Sequence, residues 1–280
     1  MNSDILNRRT FLLGTAALTL APSLAAARAN TLRDLPYGSH RLNTVDVYLP
    51  ETSQNAPLAI MVHGGAWKTG DKSNGAVWRN KRRMFNDMGY IFVSVNYRML
   101  PAVQPLEQAM DVARAMAFIQ ANAASWGGDA GRSVVLGHSA GAHLVTLLAA
   151  DPELARSGGA APWQATVALD SAVYDVEEVM EGSPARLYRQ AFGDDPDYWR
   201  ACSPMARLTQ GRGPFLLVCS TERSTSCTEA RDFAAAVSGQ GGEATVLPVA
   251  LGHREINTDL GAQNAYTAAV LEFINAQGLS

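Results

Sequence analysis

Short, unbroken apolar runs recur along this chain, each separated from the next by a stretch with helical spacing. Val45 to Leu49, Leu58 to Val62, Tyr90 to Val95, Ser133 to Leu136, Ala165 to Leu169, Phe215 to Cys219 and Ala244 to Val249 read as strands. Leu106 to Ala121, Ala142 to Ala150, Glu229 to Val237 and Ala262 to Ala276 repeat their apolar residues with the period of an α-helix. A strand that is apolar at every position has no face left for water. It belongs inside a mostly parallel sheet covered by helices on both sides, so the pattern predicts an α/β fold. Between Leu169 and Phe215 the interval is too long for a simple crossover, and residues 171–213, rich in aromatics (Tyr174, Tyr188, Phe192, Tyr198, Trp199), read as an inserted helical lid.

Composition supports one large core: 280 residues, 47% hydrophobic and 18% charged, a make-up that excludes disorder, collagen-like repeats and small disulfide scaffolds. Residues 1–29 read differently. Arg8 and Arg9 precede an uncharged run from Phe11 to Leu20, Pro22 breaks it, and Ala27-Arg28-Ala29 supplies a small-residue cleavage site. This has the layout of a secretory signal, and Asn7-Arg8-Arg9-Thr10-Phe11-Leu12 resembles a twin-arginine export address read by that export machinery. The run is too short and too broken for a stable membrane anchor, because a spanning helix needs about 20 apolar residues. Residues 30–280 are then the expected catalytic domain, exported to the periplasm or beyond. Losing three basic and one acidic side chain moves the formal charge from −3 to about −5, which disfavours nucleic acid as a partner. The cluster Arg79, Lys81, Arg82 and Arg83 reads as a solvated helix face.

Chemistry concentrates at Gly137-His138-Ser139-Ala140-Gly141, where an apolar strand enters and an apolar helix leaves. Strand, sharp turn and helix make a nucleophile elbow, which lifts the serine Oγ above the sheet. A serine hydroxyl needs a base near neutral pH. Of the five histidines, His40, His63, His138 and His143 sit where packing or hydrogen bonding explains them, whereas His253 follows the last strand, the place for the base when the order is serine, acid, histidine. His63-Gly64-Gly65-Ala66-Trp67 follows the strand ending at Val62 and is a candidate oxyanion loop, with backbone N–H donors from Gly65, Ala66 and Ala140. Each such donor is worth roughly 3 to 4 kcal/mol to a tetrahedral oxyanion.

Together with Asn96-Tyr97-Arg98-Met99-Leu100-Pro101, Trp126-Gly127-Gly128-Asp129 and Gly252-His253, these segments make the chain resemble an α/β-hydrolase of the hormone-sensitive-lipase and carboxylesterase type, close to small bacterial esterases related to kynurenine formamidase. The resemblance covers nearly all of residues 40–276. It implies a serine hydrolase acting on a small-molecule carboxylic ester with no cofactor and no metal, Ser139 attacking and His253 relaying the proton, and Arg98 and Asp129 structural. It leaves the oligomeric state open. The alternatives are an N-formyl amide hydrolase using the same residues and a non-catalytic binding protein of the same fold. Trp67 and the insertion aromatics suggest a pocket for an apolar or aryl group.

The acid departs from the family pattern. Relatives commonly carry His-Gly-x-x-Asp after the strand equivalent to Phe215 to Cys219; here the stretch is Cys219-Ser220-Thr221-Glu222-Arg223, with Arg223 where the acid would fall. Glu222, one residue early and one methylene longer than aspartate, is the expected acid, with Asp170 and Asp175 as alternatives after the preceding strand. Cys219 and Cys227 bracket the same loop. An exported location makes a bridge between them admissible, with two free thiols the alternative and Cys202 left over.

Overall fold

The computed structural model describes residues 30–209 and 213–279; the export signal expected over 1–29 lies outside them. The first half comprises β1 (Thr31–Pro36), β2 (Thr44–Tyr48), β3 (Ala56–Val62), α1 (Gly75–Asp87), β4 (Ile91–Val95), α2 (Pro105–Trp126), β5 (Gly128–His138), α3 (Ala140–Ala150) and α4 (Pro152–Ser157). Then follow β6 (Ala165–Leu169), four short helices α5 (Val176–Glu181), α6 (Arg186–Phe192), α7 (Pro196–Cys202) and α8 (Pro204–Arg207), and β7 (Phe215–Ser220). The chain closes with α9 (Ser226–Gly239), β8 (Ala244–Val249), α10 (His253–Thr258) and α11 (Ala265–Ala276).

All eight strands form one sheet in the order β1-β2-β4-β3-β5-β6-β7-β8. β1 and β2 pair antiparallel, β2 joins β4 antiparallel, and the remaining pairs are parallel. This is the α/β-hydrolase fold. The apolar strands are buried on both faces for the reason read from the sequence. Leu58, Ile60 and Val62 of β3 pack with residues of α2 and α3, whereas Ala59 and Met61 meet Phe85 of α1 and Val270 and Ile274 of α11. Alternate residues of one strand therefore serve two cores, and only a run without polar interruptions can do that. Beside them, Leu217 and Cys219 of β7 pack with Phe233 and Val237 of α9.

Two expectations are corrected here. β1 is absent from the sequence-based strand set, because Thr31-Leu32-Arg33-Asp34-Leu35-Pro36 carries charges and a proline. Those are features of an edge strand, where one side faces water. Lys81 is not solvated: it is 1% exposed, and its ammonium donates to the Asn257 Oδ1 at 2.9 Å and the Asn257 carbonyl at 2.5 Å, tying α1 to the end of α10. Burial pushes this lysine down to about 7, with Asp259 opposing.

Candidate active site

The parallel registers gather the chemistry on one edge of the sheet. His138, the last residue of β5, pairs with Leu169, the last residue of β6, and Leu169 pairs with Val218 of β7. The next residue along each of the first two strands is Ser139 and Asp170, and both turn sharply. Ser139 takes φ 54° and Asp170 φ 47°, conformations uncommon outside glycine that mark strained turns. Hydrogen bonds to the neighbouring strand hold both: Ser139 N–H donates to the Leu169 carbonyl at 3.0 Å and Asp170 N–H to the Val218 carbonyl at 2.8 Å. Ser139 caps α3, whose residues are nearly all buried, so the elbow stands on a rigid base. Gly141 is required by that packing, since a Cβ there would fall 2.4 Å from the carbonyl oxygens of Val62 and His63.

His253 opens α10 rather than lying in a loop. Its Nδ1 hydrogen-bonds Asp170 Oδ2, and Asp170 is fully buried. The acid facing the histidine is therefore Asp170, not the expected Glu222. Glu222 is exposed; its backbone N–H folds back onto Ser220 Oγ at 3.2 Å, and its carboxylate lies near Gly252 and makes no hydrogen bond to the imidazole. Asp175, the other alternative, caps α5 by accepting from Glu178 N–H. Arg223 occupies the space near the histidine and turns its guanidinium to Asp170 Oδ2 at 2.7 Å, while Oδ1 accepts from the Ser226 hydroxyl and from Ser220 N–H at 3.2 Å. Burial alone would raise the Asp170 carboxyl. The hydrogen bonds from His253, Ser226 and Arg223 outweigh it and hold the group well below the usual carboxylate range, so Asp170 is an anion.

Signals for this arrangement were in the sequence. Asp170 follows β6 at the offset at which Ser139 follows β5, and a basic residue at the usual acid position calls for a carboxylate to pair with it. Sequence reasoning missed Ser226, which carries no motif.

The candidate oxyanion loop lies against the elbow. A Cβ on Gly64 would sit 2.9 Å from the Ser139 Cβ and 2.7 Å from the His138 carbonyl oxygen, so glycine is what lets the two loops touch. Gly65, Ala66 and Trp67 all take positive φ, and the backbone N–H groups of Gly65, Ala66 and Ala140 make no hydrogen bond to a described acceptor. Unpaired donors at a helix start and a strained turn form an anion-binding concavity. The Ser139 hydroxyl, half-buried, also makes no hydrogen bond to a described residue. In unliganded sites the nucleophile–base contact is often loose and tightens with substrate.

Trp67, expected beside a pocket for an apolar or aryl group, is enclosed in the core. It is fully buried, packs edge-on against Phe192 of α6 at 5.0 Å, and donates its indole N–H to His143 Nδ1 at 3.2 Å. His143 Nε2 in turn meets the Cys202 carbonyl at 2.8 Å, which fixes the neutral tautomer with the proton on Nε2. His138 Nε2 contacts the His253 carbonyl at 2.8 Å, and the two rings lie 4.5 Å apart. Burial pushes His138 down to about 3, helped by the neighbouring His253, and burial pushes His143 down to about 4. Arg98, expected from the resemblance to be structural, grips Asp111 through two nitrogens at 2.7 and 2.8 Å, and Asp129 Oδ1 accepts from Gly131 N–H at 2.9 Å. Cys219 and Cys227 are bridged, and Cys202 is a buried free thiol. Among the described residues no group of three or more His, Cys, Asp or Glu is placed to hold a metal ion, and no helix is long and apolar enough to cross a membrane.

Comparison with known proteins adds the kinship. Residues 45–229 match the BD-FAE family model, a span from β2 into α9 that includes Ser139, Asp170 and Arg223. The chain belongs to the BD-FAE family. This BD-FAE chain is 31% identical over 245 residues to Esterase LipQ of Mycobacterium tuberculosis, covering 82% of itself and 58% of that protein. It is 27% identical over 255 residues to isoprenylcysteine alpha-carbonyl methylesterase ICME of Arabidopsis thaliana, covering 83% of itself and 57% of the relative. The BD-FAE chain thus spans a little over half the length of these curated relatives. In three dimensions it superposes on a truncated carbohydrate esterase from gut microbiota with a TM-score of 0.75 at 18% identity, over 91% of this chain and 98% of the other. A thermophilic esterase, Est2 of Thermogutta terrifontis, gives 0.71 at 22% identity, over 90% and 94%. At those identities the likeness carries the α/β-hydrolase fold.

Proposed function

We propose that the protein hydrolyses carboxylic esters of small molecules through an acyl-enzyme on Ser139. One observation carries the reading: His253 Nδ1 is bonded to a buried, anionic Asp170 on the sheet edge where Ser139 stands in a strained elbow. Asp170 holds the imidazole with its proton on Nδ1 and Nε2 free to act as base. As Ser139 Oγ bonds the acyl carbon, its proton moves to Nε2, and the oxyanion meets the unpaired N–H groups of Gly65, Ala66 and Ala140. The tetrahedral intermediate then expels the alcohol, which takes the proton from Nε2. Water attacks the acyl-enzyme by the same relay and releases the acid. The names of the relatives, an esterase and a methylesterase, support this reaction class.

The test is hydrolysis of p-nitrophenyl esters of increasing chain length beside an N-formyl aryl amide. Wild type should turn over the esters, and Ser139→Ala should lose at least about a thousandfold in kcat. Retained hydrolysis in Ser139→Ala would remove the mechanism, and a clear preference for the formyl amide would replace the substrate class.

We also propose export by the twin-arginine route. The Arg8-Arg9 motif supports it, as does the Cys219–Cys227 bridge, since such bonds persist in oxidising compartments. Cell fractionation of wild type against an Arg8→Lys, Arg9→Lys variant checks it: both proteins in the cytoplasm would reject export.

A further inference from the structure

Arg223 stands where an unusual charge arrangement meets the base. Its Nη1 lies 2.7 Å from Asp170 Oδ2 and 3.4 Å from His253 Nδ1, and that same Oδ2 takes the His253 hydrogen bond. Both nitrogens are donors, so they converge on one oxygen. The other oxygen is occupied by the Ser226 hydroxyl and the Ser220 N–H. Arg223, Ser220 and Ser226 all belong to the segment closed by the Cys219–Cys227 bridge, so one clamped loop delivers every hydrogen-bond partner of the Asp170 carboxylate except the histidine. The guanidinium side chain is 34% exposed and its carboxylate partner fully buried, which keeps screening of this pair weak.

We propose that Arg223 is a positioning residue that acts through Asp170 and sets the acid limit of the hydrolase. The inference rests on the Ser139–His253–Asp170 reading above. When His253 is protonated, one carboxylate faces two cations at hydrogen-bond range, and the cations repel each other. A permanent positive charge at this distance favours the neutral imidazole over the imidazolium. The cost falls on the imidazolium formed during acylation, which is less well stabilised.

The other charges facing His253 do not duplicate this one. His138 from β5 is buried and neutral, and Lys81 from α1 is engaged with Asn257. Glu222, in the clamped loop, is exposed beside Gly252, and Arg254 and Glu255 on α10 and Asp259 just after it bear no hydrogen bond to the imidazole.

The experiment is the pH profile of kcat/KM for an ester substrate in wild type, Arg223→Gln and Arg223→Lys, with folding checked by Tm. Removing the charge in Arg223→Gln should move the acid limb to higher pH by about one unit, and Arg223→Lys should keep it near wild type. If the glutamine variant does not fold, Arg223→Met, which keeps the packed stem, gives the same comparison. An acid limb that does not move overturns the proposal. So does a uniform loss of kcat with an unmoved limb, which is what a purely structural arginine would give. Ser139→Ala is run alongside: if it stays active the mechanism itself falls, and if it is inactive while the limb is unmoved only the role of Arg223 falls.

Discussion

Asp170 and Glu222 are both carboxylates within reach of the last strand's loop, and burial separates their roles. Asp170 is enclosed, receives four donors and is held ionised, whereas Glu222 faces water and bonds nothing at the imidazole. Asp170→Asn leaves the shape of the site and removes its charge; an amide can donate to Nδ1 and so stabilise the wrong imidazole tautomer. It should lower kcat by about 10³ to 10⁴, while Glu222→Gln stays within about twofold of wild type. Steady-state ester hydrolysis by the two variants decides this, and the reverse ranking would return the acid to Glu222. Ser139 and His253 were legible because each sits beside a pattern that has few other uses: a strand-to-helix turn between glycines, and a histidine after the final apolar run. The carboxylate facing His253 was not legible by motif, since the family position of the acid holds an arginine. What replaced the motif is a register, Ser139 and Asp170 each one residue past the paired ends of β5 and β6, and strand ends are where a sequence pattern is least sharp.

At the scale of elements, the end of β7, the start of α9 and the segment joining them supply three partners of the Asp170 carboxylate, and the joining segment has no conventional core of its own. Thr221, Glu222, Ser224 and Thr225 are exposed, so apolar burial cannot fix its shape. The bridge across an eight-residue separation does that in their place. A loop of this size constrains the unfolded chain by roughly 2 to 3 kcal/mol. The double variant Cys219→Ala, Cys227→Ala should lose about that much in urea unfolding, and its kcat should fall because Arg223 and Ser226 no longer reach Asp170 together. An unchanged unfolding midpoint with unchanged kcat would show that the bridge does not shape the site. Most elements here were legible from apolar periodicity. The exceptions follow from chemistry: β1 is polar because it is an edge, α10 is too short for a helical period to show, and Lys81 is buried by a carbonyl partner, Asn257, that lies 176 residues away in sequence.

For the whole molecule, acid sensitivity is set by histidines folded in the neutral state. His143 lies fully enclosed between Trp67 and the Cys202 carbonyl, so it links the loop after β3, helix α3 and the inserted helices. In the unfolded chain it binds a proton near pH 6.5; in the folded chain it does so only near 4. Between those values the unfolded state holds more protons, and stability falls as pH falls. The shift corresponds to roughly 3 kcal/mol once pH drops below 4, with His138 adding in the same direction. Asp170 extends the loss below the ordinary carboxylate range, because its folded form resists the proton that the unfolded chain accepts. Lys81 has the same sign on the alkaline side: held down to about 7 when folded, it lets stability rise as pH climbs from there towards 10.5. His143→Gln keeps a donor for the Cys202 carbonyl and an acceptor for the Trp67 indole but cannot titrate. Its Tm should therefore fall less steeply than that of wild type between pH 6.5 and 4. Parallel Tm curves across that interval would mean that His143 takes up its proton in the folded protein as readily as in the unfolded chain. The neutral bridge between oxyanion loop and insertion would then not govern how the molecule fails in acid.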